Sequence, residues 1–589
     1  VLPADFVTTD EGTGIVHTAG IYGEDDYQLG LAEDLPMVPL LDANGSFNDA
    51  PELIRGQYFK KAEKAIKEDL EHRGLLFDKK PYTHSYPHCH RCGTALIYNA
   101  LVSWFINIQK VKARMLETNE DINWVPAHLK HGRYKNIVEN APDWTISRNR
   151  FWASPLPIWK HPQTGELTVV GSFDELKKHT KRSGNKYFLM RHGESKSNQS
   201  TVTSSRVATS DPLTERGVAE VVAVLNGLRE KKIDLIITSP YERTKQTAEM
   251  VRTALGLGTE TVVEDMRLGE IALGILDGVD IKKYHEFLED GERWFERASE
   301  GGESWNDVKQ RAGELLYELE RIHSGKKILL IGHNSPLQML GVVAQGVLLA
   351  DTFCHDDDGK RFGNAEIRTL DFVPLPHNAR YELDFHRPYI DEVTLVDESG
   401  AELVRAPEVI DGWVESGSMP FAERHYLGES MDEFDPKESK AYPADFIAEY
   451  IAQTRTWFYY MHAISILLFD EPSFKNVIAT GTLLAADGAK ISKSKGNYTD
   501  PLILMDRFGA DASRYYLMAG VVMQAEDVNF KDEEVREAHN RVVQMLWNTY
   551  TFYDLYKGEA SSQRNPEEST LVLDKWIISR LNQLITEMT

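Results

Sequence analysis

Cysteine is scarce in this chain, which has 589 residues but only Cys89, Cys92 and Cys354. So few cysteines exclude a disulfide framework and are typical of a protein in a reducing cytoplasm. Long apolar runs are lacking as well, because none reaches the roughly 18 residues that a membrane-spanning helix needs. Residues 1–10 lack the basic-then-apolar pattern of a signal peptide. We therefore expect a cytoplasmic protein with no membrane partner.

Basic residues are in deficit, since 66 Lys and Arg stand against 91 Asp and Glu and give a formal net charge of −25. Nonspecific nucleic-acid binding needs a basic surface, so the charge argues against that class of function. A local basic groove on an acidic protein can still bind RNA. The length predicts three or more domains, because single cores stop growing at about 250–300 residues.

Residues 186–373 have the alternating pattern of an α/β domain with a largely parallel sheet. Strand-like apolar runs occur between helix-like stretches, at residues 187–190, 235–238 and 328–331. Polar, loop-like residues lie near its two ends, at 181–185 and 355–359. Elsewhere the pattern predicts a helix over 51–78, an irregular loop over 81–93 and mostly helical structure from Glu533 onward.

Three segments of this α/β block each follow a predicted strand and supply a His or an Arg, namely residues 189–198, 239–248 and 332–334. Ligands of α/β sheets bind at strand ends. A histidine can attack phosphorus and hold the phosphoryl group covalently, and fixed cations stabilise the anionic transition state. A lone Arg-His-Gly is a weak signal, but three such segments in this order indicate a phosphoryl-transfer site.

These segments resemble the histidine phosphatase family. The resemblance implies His192 as nucleophile and Glu270 as the acid that protonates the leaving oxygen. It also implies four phosphate ligands, which are Arg191, Asn198, Arg243 and His333. The substrate is expected to be a phosphate ester of unknown identity, and no metal or nucleotide cofactor is implied. The sequence departs from the family after Glu270, where residues 274–278 read Gly-Ile-Leu-Asp-Gly in place of a Gly-Trp-Glu-Gly type segment.

The strongest signal outside the block is the lysine-rich loop at residues 487–497. Lys490 and Lys493 lie three apart between glycines and could close on a triphosphate. When a carboxylate attacks the α-phosphorus and pyrophosphate leaves, a protein need only position the partners and neutralise charge. As a bare pattern, such a loop could equally be a solvated turn.

This loop resembles the lysine-loop motif of class I aminoacyl-tRNA synthetases, and the resemblance covers residues 1–184 and 376–589. Further segments narrow the match to the isoleucyl branch, at residues 84–89, 144–152, 413–420 and 442–445. The valyl and leucyl branches are the nearest competitors. The resemblance implies a monomer that ligates isoleucine to tRNA(Ile), with ATP as a substrate together with Mg²⁺.

The resemblance also implies an aminoacyl-adenylate site. Glu449 and Gln453 would contact the adenylate, and Trp413 and Trp457 would wall the aliphatic side-chain pocket, although each tryptophan could be ordinary core. The family's Glu-Gly-x-Asp-Gln-x-Arg-Gly-Trp-Phe appears at residues 449–458 without its two glycines and its Asp. None of the 19 histidines lies in the His-x-Gly-His segment of this class. We therefore expect an internal fragment that cannot form adenylate alone.

Two smaller features complete the resemblance. Residues 12–19, with Asp25 and Asp26, resemble the end of an editing domain, which implies that Asp26 holds the misacylated amino group and that His17 lies nearby. Cys89 and Cys92 form a Cys-x-x-Cys pair, which is either half of a Zn²⁺ site or a pair of free thiols.

The expected fold is α/β, with a split Rossmann-type catalytic domain and an inserted α/β phosphatase domain. The expected segments are the end of the editing domain with a connection (1–80), a connective region with the Cys-x-x-Cys pair (81–135), the first catalytic segment (136–184), the inserted phosphatase (185–375), the second catalytic segment with the lysine loop (376–532) and the start of a helical anticodon-binding domain (533–589). Two other functions stay open. One is a phosphatase on a non-catalytic tRNA-binding scaffold, and the other is a phosphatase as the only active enzyme.

Overall fold

The computed structural model describes all residues except 8–13, 43, 82, 84, 90, 91, 201, 290–293, 348–360, 425, 427–438, 494, 560–564 and 589. Cys354 and the predicted end loop at 355–359 therefore lie outside the described residues, as do parts of several motifs, which are Gly12, Thr13, His84, His90, Arg91 and Ser494. The chain forms two compact units, Val1–Trp104 and Phe105–Thr589. Within the described parts, no helix is both long and apolar enough to cross a membrane.

The first unit contains two α-helices, α1 (Glu24–Ala32) and α2 (Phe59–His72). The helix predicted over 51–78 is therefore shorter, and it is preceded by a separate 3-10 turn. Gly56 and Gly74 account for both limits, because each has a positive φ that interrupts a right-handed helix. Residues 81–93 contain no regular helix or strand where they are described, as predicted.

The second unit begins with short elements of the host region, by which we mean the residues of this unit that lie on either side of the central α/β domain in the chain. They are β1 (Phe105–Ile106), α3 (Lys112–Thr118), β2 (Asn123–Val125), α4 (Lys135–Glu139), β3 (Trp144–Thr145), β4 (Ser147–Arg148), β5 (Ile158–Lys160), β6 (Leu167–Val169) and α5 (Phe173–His179).

A central α/β domain follows, and its sheet confirms the three predicted strands. Its elements are β7 (Lys186–Arg191), α6 (Glu215–Lys231), β8 (Leu235–Thr238), α7 (Glu242–Leu255), β9 (Val262–Glu264), α8 (Ile281–Glu289), α9 (Trp305–Ile322), β10 (Lys327–Gly332), α10 (Asn334–Gln345) and β11 (Ile367–Leu370). The strand order is β11-β7-β10-β8-β9. All neighbours pair in parallel except β11, which is antiparallel to β7.

The sheet of the central domain is buried on both faces, which explains its continuous apolar strands. Tyr187 and Leu189 of β7 belong to one core cluster, beneath α9 and α10. Phe188 and Met190, which alternate with them, belong to a second cluster beneath α6 and α7. Successive side chains of a strand point to opposite faces, so each strand contributes to both cores.

The chain then returns to the host region. Its elements are β12 (Val404–Arg405), β13 (Val409–Ile410), α11 (Gly412–Ala422), β14 (Ala444–Tyr450), α12 (Trp457–Phe469), β15 (Phe474–Thr480), β16 (Leu483–Leu484), α13 (Pro501–Phe508), α14 (Ala510–Met518), β17 (Val528–Asn529), α15 (Asp532–Ala538), α16 (Gln544–Tyr556) and α17 (Val572–Met588). The helical end of the chain was predicted correctly.

Strands from both sides of the central domain share one sheet in the host region. Its order is β14-β15-β2, and both pairings are parallel. The core next to it contains Trp124, Phe458 and Phe474. The buried His462 of α12 hydrogen-bonds through both ring nitrogens, to Thr118 Oγ1 at 2.8 Å and to Tyr134 Oη at 2.7 Å. Burial without a compensating charge lowers the pKa of His462 to about 3, so the ring is neutral.

The host segment that follows the central domain packs against helix α9. The ring of Tyr381 lies over Gly313, where a Cβ would collide with it. His377 lies against Tyr317 with ring centroids 4.3 Å apart, and the Tyr317 hydroxyl donates to the carbonyl of Leu375 at 3.2 Å. The central domain is therefore held by side-chain packing as well as by its two chain connections.

Two glycines of helix α6 predict opposite effects of the same substitution. A Cβ on Gly217 would overlap the backbone of Glu194, whereas Gly227 has open space around it. We expect Gly217→Ala to destabilise the central domain by about 1–3 kcal/mol through overpacking. Gly227→Ala should stabilise it by about 0.5–1 kcal/mol through helix propensity. Urea unfolding of both variants measures the pair, and a stabilising Gly217→Ala would contradict the close approach.

Candidate functional site

Three parallel strands bring the histidine and arginine motifs to one edge of the central sheet. Strand β7 ends at Arg191 and is followed by His192, while β10 ends immediately before His333. Strand β8 ends immediately before Ser239, whose loop leads into α7 and Arg243. Because these strands are parallel neighbours, their carboxyl ends meet at the same place.

His192 is held in one tautomer. Its side chain is 2% exposed, and its Nδ1 lies 2.7 Å from the carbonyl oxygen of Gly193. A carbonyl can only accept, so Nδ1 carries the hydrogen and Nε2 has the free electron pair. The Nε–H of Arg243 donates to that Nε2 at 3.1 Å. The nitrogen that faces the arginine is therefore the nucleophilic one.

The buried guanidinium of Arg243 contacts three other residues of the site. Besides its contact with His192, its Nη2 donates to His333 Nδ1 at 3.1 Å and its Nη1 donates to Asp211 Oδ2 at 2.8 Å. His333 in turn contacts Ser239 Oγ through Nε2 at 2.8 Å. Asp211 was missed by the sequence reasoning, since a single Asp before a helix start has no distinctive spacing.

The electrostatics of the site favour neutral histidines and an anionic ligand. Burial lowers the pKa of His192 and of His333 well below the usual value, and the charge of Arg243 lowers both further. Burial also lowers the pKa of the Arg191 guanidinium. Arg191 Nη1 donates to the carbonyl of Phe362, but its buried Nε finds no partner in the described part of the chain. A buried donor of this kind indicates a place for a ligand atom.

A cavity of about 510 Å³ opens on these groups and brings most of the predicted residues together. Arg191, His192, Asn198, Arg243 and Glu270 all line it. His333 does not, because it lies behind Arg243 and is fully buried.

Glu270 and Asn198 are both fixed by hydrogen bonds to backbone. Glu270 Oε1 accepts from the backbone N–H groups of Ile271 at 3.0 Å and Ser335 at 3.3 Å. Asn198 Oδ1 accepts from the backbone N–H of Ser195 at 3.0 Å. Arg361 also lines the cavity, and the sequence reasoning missed it.

The lysine-rich loop is an ordered turn that presents its lysines to solvent. Lys490 pairs with Leu484 in a β-bridge, and Lys490 and Lys493 are both exposed. The side chain of Asn497 closes the loop, since it accepts from the N–H of Ser492 at 3.0 Å and donates to the carbonyl of Lys490 at 3.1 Å. Gly488 has φ +80°, a left-handed value that glycine adopts without strain.

The two tryptophans predicted to wall an amino-acid pocket lie on neighbouring helices. Trp457 opens α12, and its Nε1–H donates to the carbonyl of Ser416 in α11 at 3.1 Å. Trp413 stacks on Tyr460 of α12 with centroids 5.5 Å apart. Both tryptophans are half-buried at the edge of the host core.

The two residues predicted to contact the adenylate differ in their surroundings, because Glu449 is exposed whereas the side chain of Gln453 is hydrogen-bonded within the protein. Glu449 is exposed near the end of β14. Gln453 Oε1 accepts from Thr456 Oγ1 at 2.5 Å and from the backbone N–H of Trp457 at 3.1 Å. Thr456 stands where the resembled family has glycine, so this departure gives the Gln453 carbonyl a second intramolecular partner.

Of the two residues predicted for editing, one lines a cavity of the first unit. His17 lines a cavity of about 860 Å³, together with apolar residues such as Val38 and Leu40. Asp26 lies in the first turn of α1 and is not among the residues that line this cavity.

The cysteine pair does not fit a zinc site. Cys89 and Cys92 are both free, and Cys92 Sγ contacts Thr94 Oγ1 at 3.2 Å. Among the described residues, no group of three or more His, Cys, Asp or Glu side chains is arranged to hold a metal. Structural zinc needs four protein ligands in a tetrahedron, so the expected Zn²⁺ is not supported.

Two known families match the chain. Residues 23–205 and 364–531 match the family described as tRNA synthetases class I (I, L, M and V). Residues 187–359 match the histidine phosphatase superfamily, branch 1.

Curated relatives match over the whole chain. Isoleucine–tRNA ligases of Clostridium tetani and Streptomyces coelicolor are each 30% identical over 100% of this chain and 38% of their own length. The corresponding ligase of Treponema denticola is 29% identical over 100% of this chain and 37% of its own length. The chain thus spans less than two-fifths of these relatives.

Solved structures match about a third of the chain. A mycobacterial glucosyl-3-phosphoglycerate phosphatase is 22% identical, with a TM-score of 0.27, over 32% of this chain and 90% of that one. A phosphoserine phosphatase from Entamoeba histolytica is 23% identical, with a TM-score of 0.26, over 31% of this chain and 89% of that one.

Buried neutral histidines predict a pH-dependent stability of the central domain. The folded pKa of His192 lies below the unfolded value of 6.5, so below that pH the unfolded state binds the proton first. Stability is therefore complete above about pH 6.5 and falls as the pH drops, with a slope that approaches about 1.4 kcal/mol per pH unit for one histidine. Hydrogen exchange of β10 peptides between pH 7 and 5.5 measures this slope. His192→Gln should reduce it, and an unchanged slope would contradict a neutral buried ring.

Proposed function

The chain belongs to the class I tRNA synthetases and carries a histidine phosphatase superfamily domain between two synthetase segments, and on that premise we propose a separate chemistry for each region. The central domain hydrolyses a phosphate monoester through a phosphohistidine. The host region supplies the lysine-loop side of an isoleucine-activating site. The observation that carries the phosphatase proposal is a single cavity lined both by His192, whose Nε2 is unprotonated, and by Arg191, whose buried Nε has no partner among the described residues.

In the first half-reaction, His192 Nε2 attacks phosphorus, a P–N bond forms and the P–O bond to the alcohol breaks. Glu270 donates a proton to the departing oxygen, because it lines the same cavity as the nucleophile. Arg191 and Arg243 neutralise the charge that gathers on the phosphoryl oxygens. The carbonyl of Gly193 accepts the Nδ1 hydrogen and so stabilises the cationic ring of the intermediate.

In the second half-reaction, water attacks the phosphohistidine and the P–N bond breaks. Glu270 now accepts the proton of that water, and inorganic phosphate leaves. His192 returns to its neutral form, which burial favours. His333 touches no substrate in this scheme; it holds the guanidinium of Arg243 from behind.

For the phosphatase we expect His192→Ala to abolish both turnover and acid-quenched phosphohistidine in the whole chain. Glu270→Gln should slow alkyl phosphates by about 10²–10⁴-fold, the range for a general acid, and aryl phosphates far less, since a good leaving group needs no proton. Glu286→Gln, an exposed glutamate of α8, is the matched control. A folded chain with neither turnover nor phosphohistidine on any ester would leave only a phosphate-binding sensor.

The host region is proposed to act in isoleucine activation. Lys490 and Lys493 would neutralise the triphosphate of ATP with its Mg²⁺, and their exposure leaves them free to close on it. Trp413 and Trp457 would wall the pocket for the aliphatic side chain, and Glu449 and Gln453 would contact the adenylate. The isoleucine–tRNA ligase relatives support isoleucine and tRNA(Ile) as substrates, with valine or leucine as the alternatives. A cytoplasmic monomer remains part of the proposal.

Lys493→Ala should lower isoleucine-dependent pyrophosphate exchange by about two to three orders of magnitude, the loss typical of one transition-state donor. Lys495→Ala, an exposed lysine on the same loop, is the control and should keep most of the activity. The measurement uses the full-length gene product. Unchanged exchange in Lys493→Ala would remove that role, and a preference for valine or leucine would reassign the amino acid.

A further inference from the structure

The phosphatase cavity is much larger than a phosphoryl group. Its volume of about 510 Å³ lies within the range of roughly 300–1,000 Å³ that is typical of small-molecule sites. The cationic groups Arg191 and Arg243 occupy one side of its lining together with His192. The remainder of the lining is therefore available to the alcohol group of an ester.

The wall next to the proposed acid is apolar. Ile271 and Leu273 follow Glu270 closely in the chain, and both line the cavity. Tyr284 of α8 and Trp305 of α9 continue the same wall. All four belong to the main core cluster of the domain, so the wall is backed by packed side chains. Since Glu270 protonates the bridging oxygen, the first carbons of the alcohol lie against this wall.

The polar groups near the wall are poorly suited to a cationic alcohol. Among the described lining residues, Glu270 is the only carboxylate, so a cationic alcohol has no second acidic partner. The hydroxyls of Ser197 and Thr203 already donate within the protein, to Asp211 and to the carbonyl of Leu276 respectively. Ser204 Oγ, which also lines the cavity, is buried without a partner among the described residues. A hydroxylated alcohol would still have to compete for the bonds of Ser197 and Thr203, whereas an apolar ring would not.

Resting on the proposed phosphatase activity, we propose that the substrate is a phosphomonoester of an aromatic-type alcohol whose ring packs on Ile271, Leu273, Ile281, Tyr284 and Trp305. Aromatic groups prefer such walls of rings and branched side chains. Ile281 stands at the rim of this wall and is 37% exposed, so it can be shortened without opening the core.

The test compares benzyl, ethyl and glycerol phosphates on the whole chain. Their alcohols are similarly poor leaving groups, so differences in kcat/KM report recognition of the alcohol rather than its chemistry. We expect benzyl phosphate to exceed ethyl phosphate by about 10- to 100-fold, the gain from burying one aromatic ring. Ile281→Ala should reduce that ratio by about 3- to 10-fold. Ile322→Ala, 56% exposed at the far end of α9, should leave the ratio unchanged.

A binding measurement separates this inference from the proposed catalysis. Benzylphosphonate cannot be hydrolysed, and it should bind at least about 10-fold more tightly than ethylphosphonate by calorimetry. Equal rates for the three esters, or equal affinities for the two phosphonates, would overturn the aromatic alcohol and leave the phosphatase intact. Tight benzylphosphonate binding without turnover of any ester would instead support the apolar site and remove the catalysis.

Discussion

The buried guanidinium of Arg243 is the interaction on which the phosphatase-like site depends. Burying an ion costs several kcal/mol unless partners compensate it, and here each of its three nitrogens contacts a different residue. Asp211 supplies the countercharge, while His192 and His333 are left neutral. The second arginine, Arg191, has no such countercharge in contact among the described residues, so the site keeps an excess of positive charge. That excess is what makes a phosphate-sized anion the natural occupant.

The position of Arg243 between His192 and His333 explains why the two buried histidines have different roles in the proposed reaction. His192 faces the cavity with its free Nε2, whereas His333 is covered by Arg243 and bonded to Ser239 on its other side. A group that lies behind a cation can set the orientation of that cation but cannot reach phosphorus. In the proposed reaction, the apolar wall that starts at Ile271 lies next to the alcohol of the ester, whose phosphoryl group binds at the cation-lined end.

The host region has a different organisation, in which functional groups lie on the surface rather than in a buried cluster. Lys490 and Lys493 are exposed on a turn whose shape depends on Asn497 and Gly488. An exposed lysine loop suits a substrate that must enter, react and leave. The packing of Tyr381 over Gly313 joins the host region to α9, and the first residue of that helix lines the phosphatase cavity.

The sequence by itself determined three strands of the central sheet and its largely parallel pairing, and it predicted five of the residues that line the cavity. It could do so because apolar runs followed by His or Arg report strand ends, and parallel strand ends must meet. It also predicted that the end of the chain is helical. It did not give the correct limits of α2, because two glycines make this helix shorter than predicted. Only the tertiary structure decided that Asp211 pairs with Arg243, that His333 lies behind the cavity, and that the wall beside Glu270 is apolar. The two contacts of Arg243 join residues 32 and 90 positions apart, and no local spacing records such contacts.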